Sequence, residues 1–139
     1  MRVVGIDLGS KRIGVAVSDA SGTIASPLTV IRRGGARAGD HAAIAAIVAE
    51  YEAVLVVVGL PLTLAGDVGP AARAAIDEAG AIARVVGVPV ETFDERLTTV
   101  AADAILMERR MRADARRRLV DKVAAAVMLQ SWLDARDQP

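Results

Sequence analysis

Three sets of acids stand where folding could gather them. Asp7 follows Val3-Val4-Gly5-Ile6 at the end of a segment that reads as a central strand, Asp94-Glu95 closes a short strand, and Asp121 lies in the last helix. An ionised carboxylate at the end of a buried strand is costly unless it is paired or bound to metal. Asp94 and Glu95 cannot both point the same way from an extended chain. Glu95, with the longer arm, is expected at the site, and Asp94 is the alternative. The acid left over would pair with Arg96 or cap the next helix. Residues three, four and seven beyond Asp121 are Ala124, Ala125 and Met128, so this acid falls on a face where a helix can approach a sheet closely. Each acid has a local alternative: a turn acid beside Gly9, a partner for a helix dipole, or an ion pair with Arg117 or Arg118. Acids from three distant segments converging on one point would instead hold a hard cation. With no Cys and one His, oxygen ligands select Mg²⁺ or Mn²⁺ over Zn²⁺. Such an ion activates water and neutralises charge building on a phosphodiester.

The elements that must position these acids follow from the pattern. Arg2–Leu8, Ile13–Asp19 and Thr23–Ile31 form an antiparallel meander, turning at Gly9–Arg12 and Ser21-Gly22. Asp40 reads as an N-cap, and Ile44, Ile47, Val48 and Tyr51 then recur at helical spacing. Val54–Val58 reads as a strand buried on both faces, broken by Gly59-Leu60-Pro61. A helix over Pro70–Val86 ends at Gly87, and Val88–Phe93 is the last strand. A helix capped by Thr98 or Thr99 and another from about Asp114 complete the chain. The order predicts an α/β fold with a mixed five-stranded sheet, a three-stranded meander plus βα units flanked by helices, in one domain over residues 1–139. This is the ribonuclease H-like order.

Composition narrows the partners. The chain has 139 residues, is 53% hydrophobic and 24% charged, and 28 of its residues are Ala, which accounts for much of its mean hydropathy of +0.39. Its longest apolar run, Ala53 to Leu62, is about half the ~20 residues a membrane span requires. No signal region precedes the first strand, and the lack of Cys suits the cytoplasm. Net charge is zero, yet Arg109–Lys122 holds six Arg and one Lys against two Asp, a net +5. A local basic stretch on a neutral chain is the footprint of a nucleic-acid contact. Arg116, Arg117 and Arg118 fall in the first turn of the last helix, where positive charge opposes the macrodipole, and Arg109, Arg110 and Arg112 precede them. Lys11 and Arg12 beside Asp7, Arg96 beside Glu95, and Lys122 are further candidate phosphate contacts. The three aromatics, Tyr51, Phe93 and Trp132, do not make a stacking platform, so backbone-directed binding is expected. The Gly59-Leu60-Pro61 turn and the Gly66–Gly69 loop could offer backbone N–H groups, although Gly66 reads better as a plain connection. His41, at a helix start, reads as a surface residue.

The chain resembles the YqgF/RuvX family, described as Holliday junction resolvases or pre-16S rRNA nucleases. The resemblance spans nearly the whole chain. It rests on Gly5-Ile6-Asp7-Leu8-Gly9-Ser10-Lys11-Arg12-Ile13-Gly14-Val15-Ala16-Val17-Ser18-Asp19, on Val58-Gly59-Leu60-Pro61-Leu62 with Gly66 and Gly69, on Asp94-Glu95-Arg96-Leu97-Thr98-Thr99, and on Val120-Asp121-Lys122-Val123-Ala124-Ala125. It implies a ribonuclease H-like fold and a cytoplasmic nuclease that processes the 5′ end of the 16S rRNA precursor, with action on branched DNA as the family's other assignment. Asp7 matches the first-strand catalytic acid and Asp121 the last-helix acid. Resolvases of this fold carry the second acid on the fourth strand. Val54–Val58 has none, and the Asp94-Glu95 pair is the substitute.

Three functions follow. The first is a nuclease using Mg²⁺ or Mn²⁺ through Asp7, Glu95 (or Asp94) and Asp121. Structured RNA or branched DNA would be its partner, with no membrane, and a homodimer is left open. The second is a non-catalytic RNA-binding or ribosome-assembly factor keeping the fold and the basic patch. The third takes Asp7-Leu8-Gly9-Ser10 as the phosphate loop of an actin- or sugar-kinase-like ATPase. Those need two such domains, and 139 residues supply one.

Overall fold

The structure, a computed structural model, describes residues 1–96 and 113–136, with side chains for all of these except 113–121. Five strands, β1 (Val3–Leu8), β2 (Arg12–Ser18), β3 (Ala25–Arg32), β4 (Leu55–Leu60) and β5 (Val90–Asp94), form one sheet in the order β3-β2-β1-β4-β5. The first three are antiparallel, while β4 runs parallel to both β1 and β5. Three helices are described: α1 (Arg37–Glu50), α2 (Pro70–Val86) and α3 (Ala113–Arg136). The mixed five-stranded sheet expected from the pattern is therefore present, with β1 at its centre.

Alternation along the strands divides the core. Val4 and Ile6 of β1 and Val56 and Val58 of β4 meet Ile44 and Val48 of α1 and Ala79 and Ile82 of α2. Val3 and Val57 face the other way, onto Ala125, Met128, Leu129 and Leu133 of α3. Burial on both faces is why these strands read as continuous apolar runs. Gly5 lets α3 settle close to the sheet: a Cβ there would stand 2.9 Å from the Leu129 Cβ and 3.3 Å from the Ala125 carbonyl.

Turn chemistry fixes the register. The Gly9 N–H donates to the Arg12 carbonyl at 2.9 Å, and a Cβ on Gly9 would lie 2.5 Å from that oxygen, so the β1–β2 turn needs glycine. Helix α2 runs from Pro70 to Val86 and stops at Gly87, whose φ of +71° is left-handed, as the sequence predicts.

Three local expectations are corrected. Strand β4 does not break at Gly59 but continues through Leu60, because β5 pairs with it there (Gly59 with Phe93, Leu60 with Asp94). Asp40 is not the N-cap of α1. The helix begins at Arg37, and the Asp40 Oδ1 instead accepts the Gly34 N–H at 3.2 Å. His41 is 4% exposed rather than a surface residue, with its Nε2 2.8 Å from the Glu78 Oε2. The helix expected near Thr98 and Thr99 lies outside the described residues. Among the described residues no helix is long and apolar enough to cross a membrane.

Candidate active site

Asp7 is the next-to-last residue of β1, opposite Gly14 of β2. It has the parity of Val3 and Gly5, so its side chain leaves the sheet on the α3 face. The position beside it on that face of β4 is Gly59, one step beyond the paired Ile6 and Val58.

Glu95 follows the last residue of β5, and its N–H donates to the Leu60 carbonyl at 3.2 Å. That bond carries the parallel pairing one residue past the strand and aims the side chain over Gly59. A Cβ on Gly59 would collide with the Glu95 carboxylate. The Glu95 side chain thus fills, beside Asp7, space that only glycine leaves open. The Glu95 carboxyl reaches the Asp7 carboxyl and hydrogen-bonds to it. Burial, then the Asp7 charge, push Glu95 up to about 8. Two carboxylates held this close cannot both ionise cheaply without a cation between them.

Asp94 behaves differently. Its carboxylate turns to Arg96, accepting the Nε at 2.8 Å and the backbone N–H at 3.0 Å, with the Nη2 at 2.6 Å. The Arg96 hydrogen bonds hold Asp94 below the usual carboxylate range. Arg96 also lies against Gly66, where a Cβ would be 3.1 Å from its Nη1. The structure therefore brings Asp7 and Glu95 together and engages Asp94 and Arg96 with each other.

The backbone of Asp121 lies in α3, one turn before Ala125; its side chain, and those of Arg116, Arg117 and Arg118, lie outside the described residues, as do Arg109, Arg110 and Arg112. Ala124, Ala125 and Met128 are all buried. Lys122 is half-buried, Lys11 is exposed on the β1–β2 turn, and Arg12 opens β2. The Gly66 loop is closed on itself: the Gly66 N–H donates to the Thr63 carbonyl at 2.8 Å and the Asp67 N–H to the Thr63 Oγ1 at 3.0 Å. Those two N–H groups are therefore engaged within the loop.

Sequence reasoning missed one charged cluster at this end of the sheet. Glu78, 4% exposed, takes both guanidinium nitrogens of Arg33 at 2.8 and 3.0 Å and the His41 Nε2 at 2.8 Å. The Arg33 Nε donates at 2.8 Å to the Gly9 carbonyl, two residues beyond Asp7. Burial alone would raise the Glu78 carboxyl, but hydrogen bonds from Arg33 and His41 outweigh it and hold the group low. The signal was available: Glu78 lies on the stripe of α2 that also carries Ala75, Ala79 and Ile82. A carboxylate on an apolar stripe must have a partner.

A parallel-and-antiparallel sheet of this order, with acids meeting at the end of its central strand, defines a ribonuclease H-like protein. The family model described as "RuvX: Holliday junction resolvase" matches residues 1–135, and the chain belongs to that family. A protein of Mycobacterium sp. strain KMS named "Putative pre-16S rRNA nuclease" is 52% identical over 136 residues, covering 97% of this chain and 80% of that protein. One of the same name from Myxococcus xanthus is 48% identical over 139 residues, covering 100% and 91%. Among solved structures, Thermus thermophilus RuvC in complex with a Holliday junction superposes with a TM-score of 0.59 at 22% identity, covering 98% and 95% of the two chains. The large terminase nuclease of phage G20c gives 0.51 at 16%, covering 91% and 80%. These two likenesses bear on the fold.

Proposed function

We propose that this chain is a divalent-metal-dependent nuclease that hydrolyses phosphodiester bonds in the 5′ region of the 16S rRNA precursor, acting in the cytoplasm. The observation that carries this reading is the Asp7–Glu95 pair, two carboxyl groups pressed together over Gly59 with the second pushed up to about 8. Stability alone does not favour such an arrangement, because burying like charges is unfavourable. A hard divalent cation reverses the sign, and the donor set is all oxygen, which suits Mg²⁺ or Mn²⁺.

Asp7 and Glu95 would hold the metal, with Asp121 as a third ligand. The register of α3 supports Asp121. Ala125 lies over Gly5, two strand residues advance ~7 Å, and four helical residues advance ~6 Å. Because α3 runs back toward Met1, with the Arg136 Nη1 3.5 Å from the Met1 Sδ, its earlier residues lie toward the Asp7 end. The backbone of Asp121 therefore falls near the level of Asp7. When bound, the metal supplies an activated water and charge neutralisation at the phosphate. The chain's own part is to fix the two carboxylates before substrate arrives. The sheet end takes them partly out of water, and Asp94 holds Arg96 beside them as a cation for the phosphate backbone. Arg109, Arg110, Arg112, Arg116, Arg117, Arg118 and Lys122 would add sequence-independent backbone contacts, and Lys11 and Arg12 a phosphate contact at the turn.

The test is cleavage of a labelled 5′-extended 16S precursor transcript by the purified chain in Mn²⁺, with Asp7→Asn beside it and a four-way DNA junction as competing substrate. Cutting of the transcript that disappears in Asp7→Asn supports the reading. Equal cutting by both proteins removes the proposed chemistry, and a preference for the junction moves the substrate to branched DNA.

A further inference from the structure

Across the sheet end from Asp7 and Glu95, on the side of α1 and α2, a cavity of about 810 Å³ opens beside the β1–β2 turn. Five cations line it: Lys11 and Arg12 on the turn, Arg32 and Arg33 at the end of β3, and Arg37 in the first turn of α1. Two acids, Asp40 and Glu78, lie beneath them, leaving the lining by the described residues at a net +3. Both acids are buried and already engaged. Glu78 holds Arg33 and His41, with the Arg37 Nη2 at 4.0 Å, and Asp40 accepts the Gly34 N–H with the Arg33 Nη1 at 3.7 Å. Arg33 thus forms a fixed, neutralised floor. Lys11, Arg32 and Arg37 are exposed around it and set the sign of the rim.

The ligand is defined by what the cavity offers. Guanidinium groups on a rim match phosphate oxygens, as forked donors do. Among the described residues no aromatic lines the cavity, so they give a base nothing to stack on, and recognition falls on the sugar-phosphate backbone. The remaining wall is formed by small residues of α2, Ala71, Ala74 and Ala75, which leave width for a chain rather than a snug pocket for a base.

Its position ties it to the acids. Asp7 and Leu8 are successive strand residues and point to opposite faces, and Leu8 lines the cavity. The turn Gly9–Arg12 is the ridge between the two sides, held down on the cavity side by the Arg33–Gly9 hydrogen bond. A nucleic-acid strand held at the carboxyl pair has a basic channel one turn away, over that ridge.

We propose that this groove binds the phosphodiester backbone of the strand flanking the cleaved bond, independently of sequence. The proposal rests on nucleic acid being the substrate but not on the cleavage chemistry, so it is tested in EDTA. Fluorescence anisotropy would compare an RNA hairpin carrying a single-stranded extension with the same hairpin lacking it, across a salt series, for the parent and for Arg32→Ala/Arg37→Ala. The double variant is expected to bind the extended hairpin on the order of tenfold more weakly. Its slope of log K against log salt should be smaller by about 1.4, roughly 0.7 for each single-strand phosphate that no longer meets a guanidinium. The blunt hairpin should bind as before, and Arg32→Lys/Arg37→Lys should restore most of the affinity. Unchanged binding of the extended hairpin by the double variant, or equal weakening on both hairpins, overturns the groove. A parent that binds neither hairpin overturns the nucleic-acid reading itself, a different result from either.

Discussion

The two sides of the sheet end each draw an acid out of water, fully at Glu78 and partly at Glu95, and they resolve the cost in opposite ways. On the α1/α2 side, Glu78 is surrounded by donors: Arg33 grips both oxygens and His41 reaches one of them, so the carboxyl is held low. On the α3 side, Glu95 meets another carboxyl, that of Asp7, and is pushed up to about 8. The first arrangement is complete within the protein and ties α1, α2, β3 and the β1–β2 turn together. The second sets one carboxyl group against another of the same sign. The structural acid is marked by the cations that grip it, and the candidate ligand pair by two carboxyl groups brought together.

The sharpest way to break that comparison is to remove one acid from each side. Asp7→Asn should reduce cleavage by at least on the order of a hundredfold while the chain stays folded, since it removes charge from a reacting centre rather than from the core. Single-turnover rates and thermal melts together check this. Glu78→Ala should do the reverse. It strands a half-buried guanidinium and a buried imidazole and is expected to cost about 2–3 kcal/mol of stability, read from the urea midpoint. Should Glu78→Ala melt with the parent, the network does not clasp the fold.

Gly59→Ala tests the space between the sides. The added methyl would strike the Glu95 carboxylate, so Glu95 must move. Activity should fall about tenfold to a hundredfold, as when a metal ligand's supporting neighbour is removed. Stability should change little, because the outer end of β4 can adjust.

The pH response gives a smaller, signed effect. Glu95 has a folded value of about 8, above its ordinary 4.5, so its protonated form stabilises the fold. That contribution is fully present below about 4.5 and is lost as pH rises through about 8. In EDTA, Glu95→Gln should therefore melt higher than the parent at pH 8.5, and the gap should close toward pH 5. Glu78 has the opposite sign: its contribution is present above the ordinary carboxylate value and is lost as pH falls below it. Mn²⁺ should raise the melting temperature of the parent and fail to raise that of Glu95→Gln. An equal Mn²⁺ response in both would separate Glu95 from metal binding.

The least effect is expected from Asp19, an acid at the end of a strand like Asp7 but with a different task. Its carboxylate accepts the Thr23 and Ile24 N–H groups and the Ser21 hydroxyl, which hold it down to about 2. Asp19→Ala should loosen the β2–β3 turn, visible as faster amide exchange at Thr23 and Ile24, and leave cleavage as it was.

Much of the fold was legible in local pattern. Apolar runs marked the doubly buried strands, Pro70 and Gly87 bounded α2, and the Gly9–Arg12 turn ended β1 just after Asp7. These features depend on neighbours within a few residues, where backbone sterics and side-chain alternation suffice. Alternation said only that Asp94 and Glu95 part company, and the longer arm favoured Glu95; the parity of β5 against β4 turns Glu95 toward Gly59. The Gly59-Leu60-Pro61 segment looked like a break because its neighbour strand lies some thirty residues away in the sequence, and only that pairing carries β4 onward.

What the chain determined alone, then, was the order of the described strands and helices and a short set of candidate acids, because those follow from period, turn residues and side-chain reach. What tertiary structure decided was company: that Glu95 fills the space over Gly59 and meets Asp7, that Asp94 is taken by Arg96, and that His41 and Glu78 are buried together. Distances between segments remote in sequence set each carboxyl's neighbours, and those neighbours decide whether its pKa is held low, as at Glu78, or pushed up, as at Glu95.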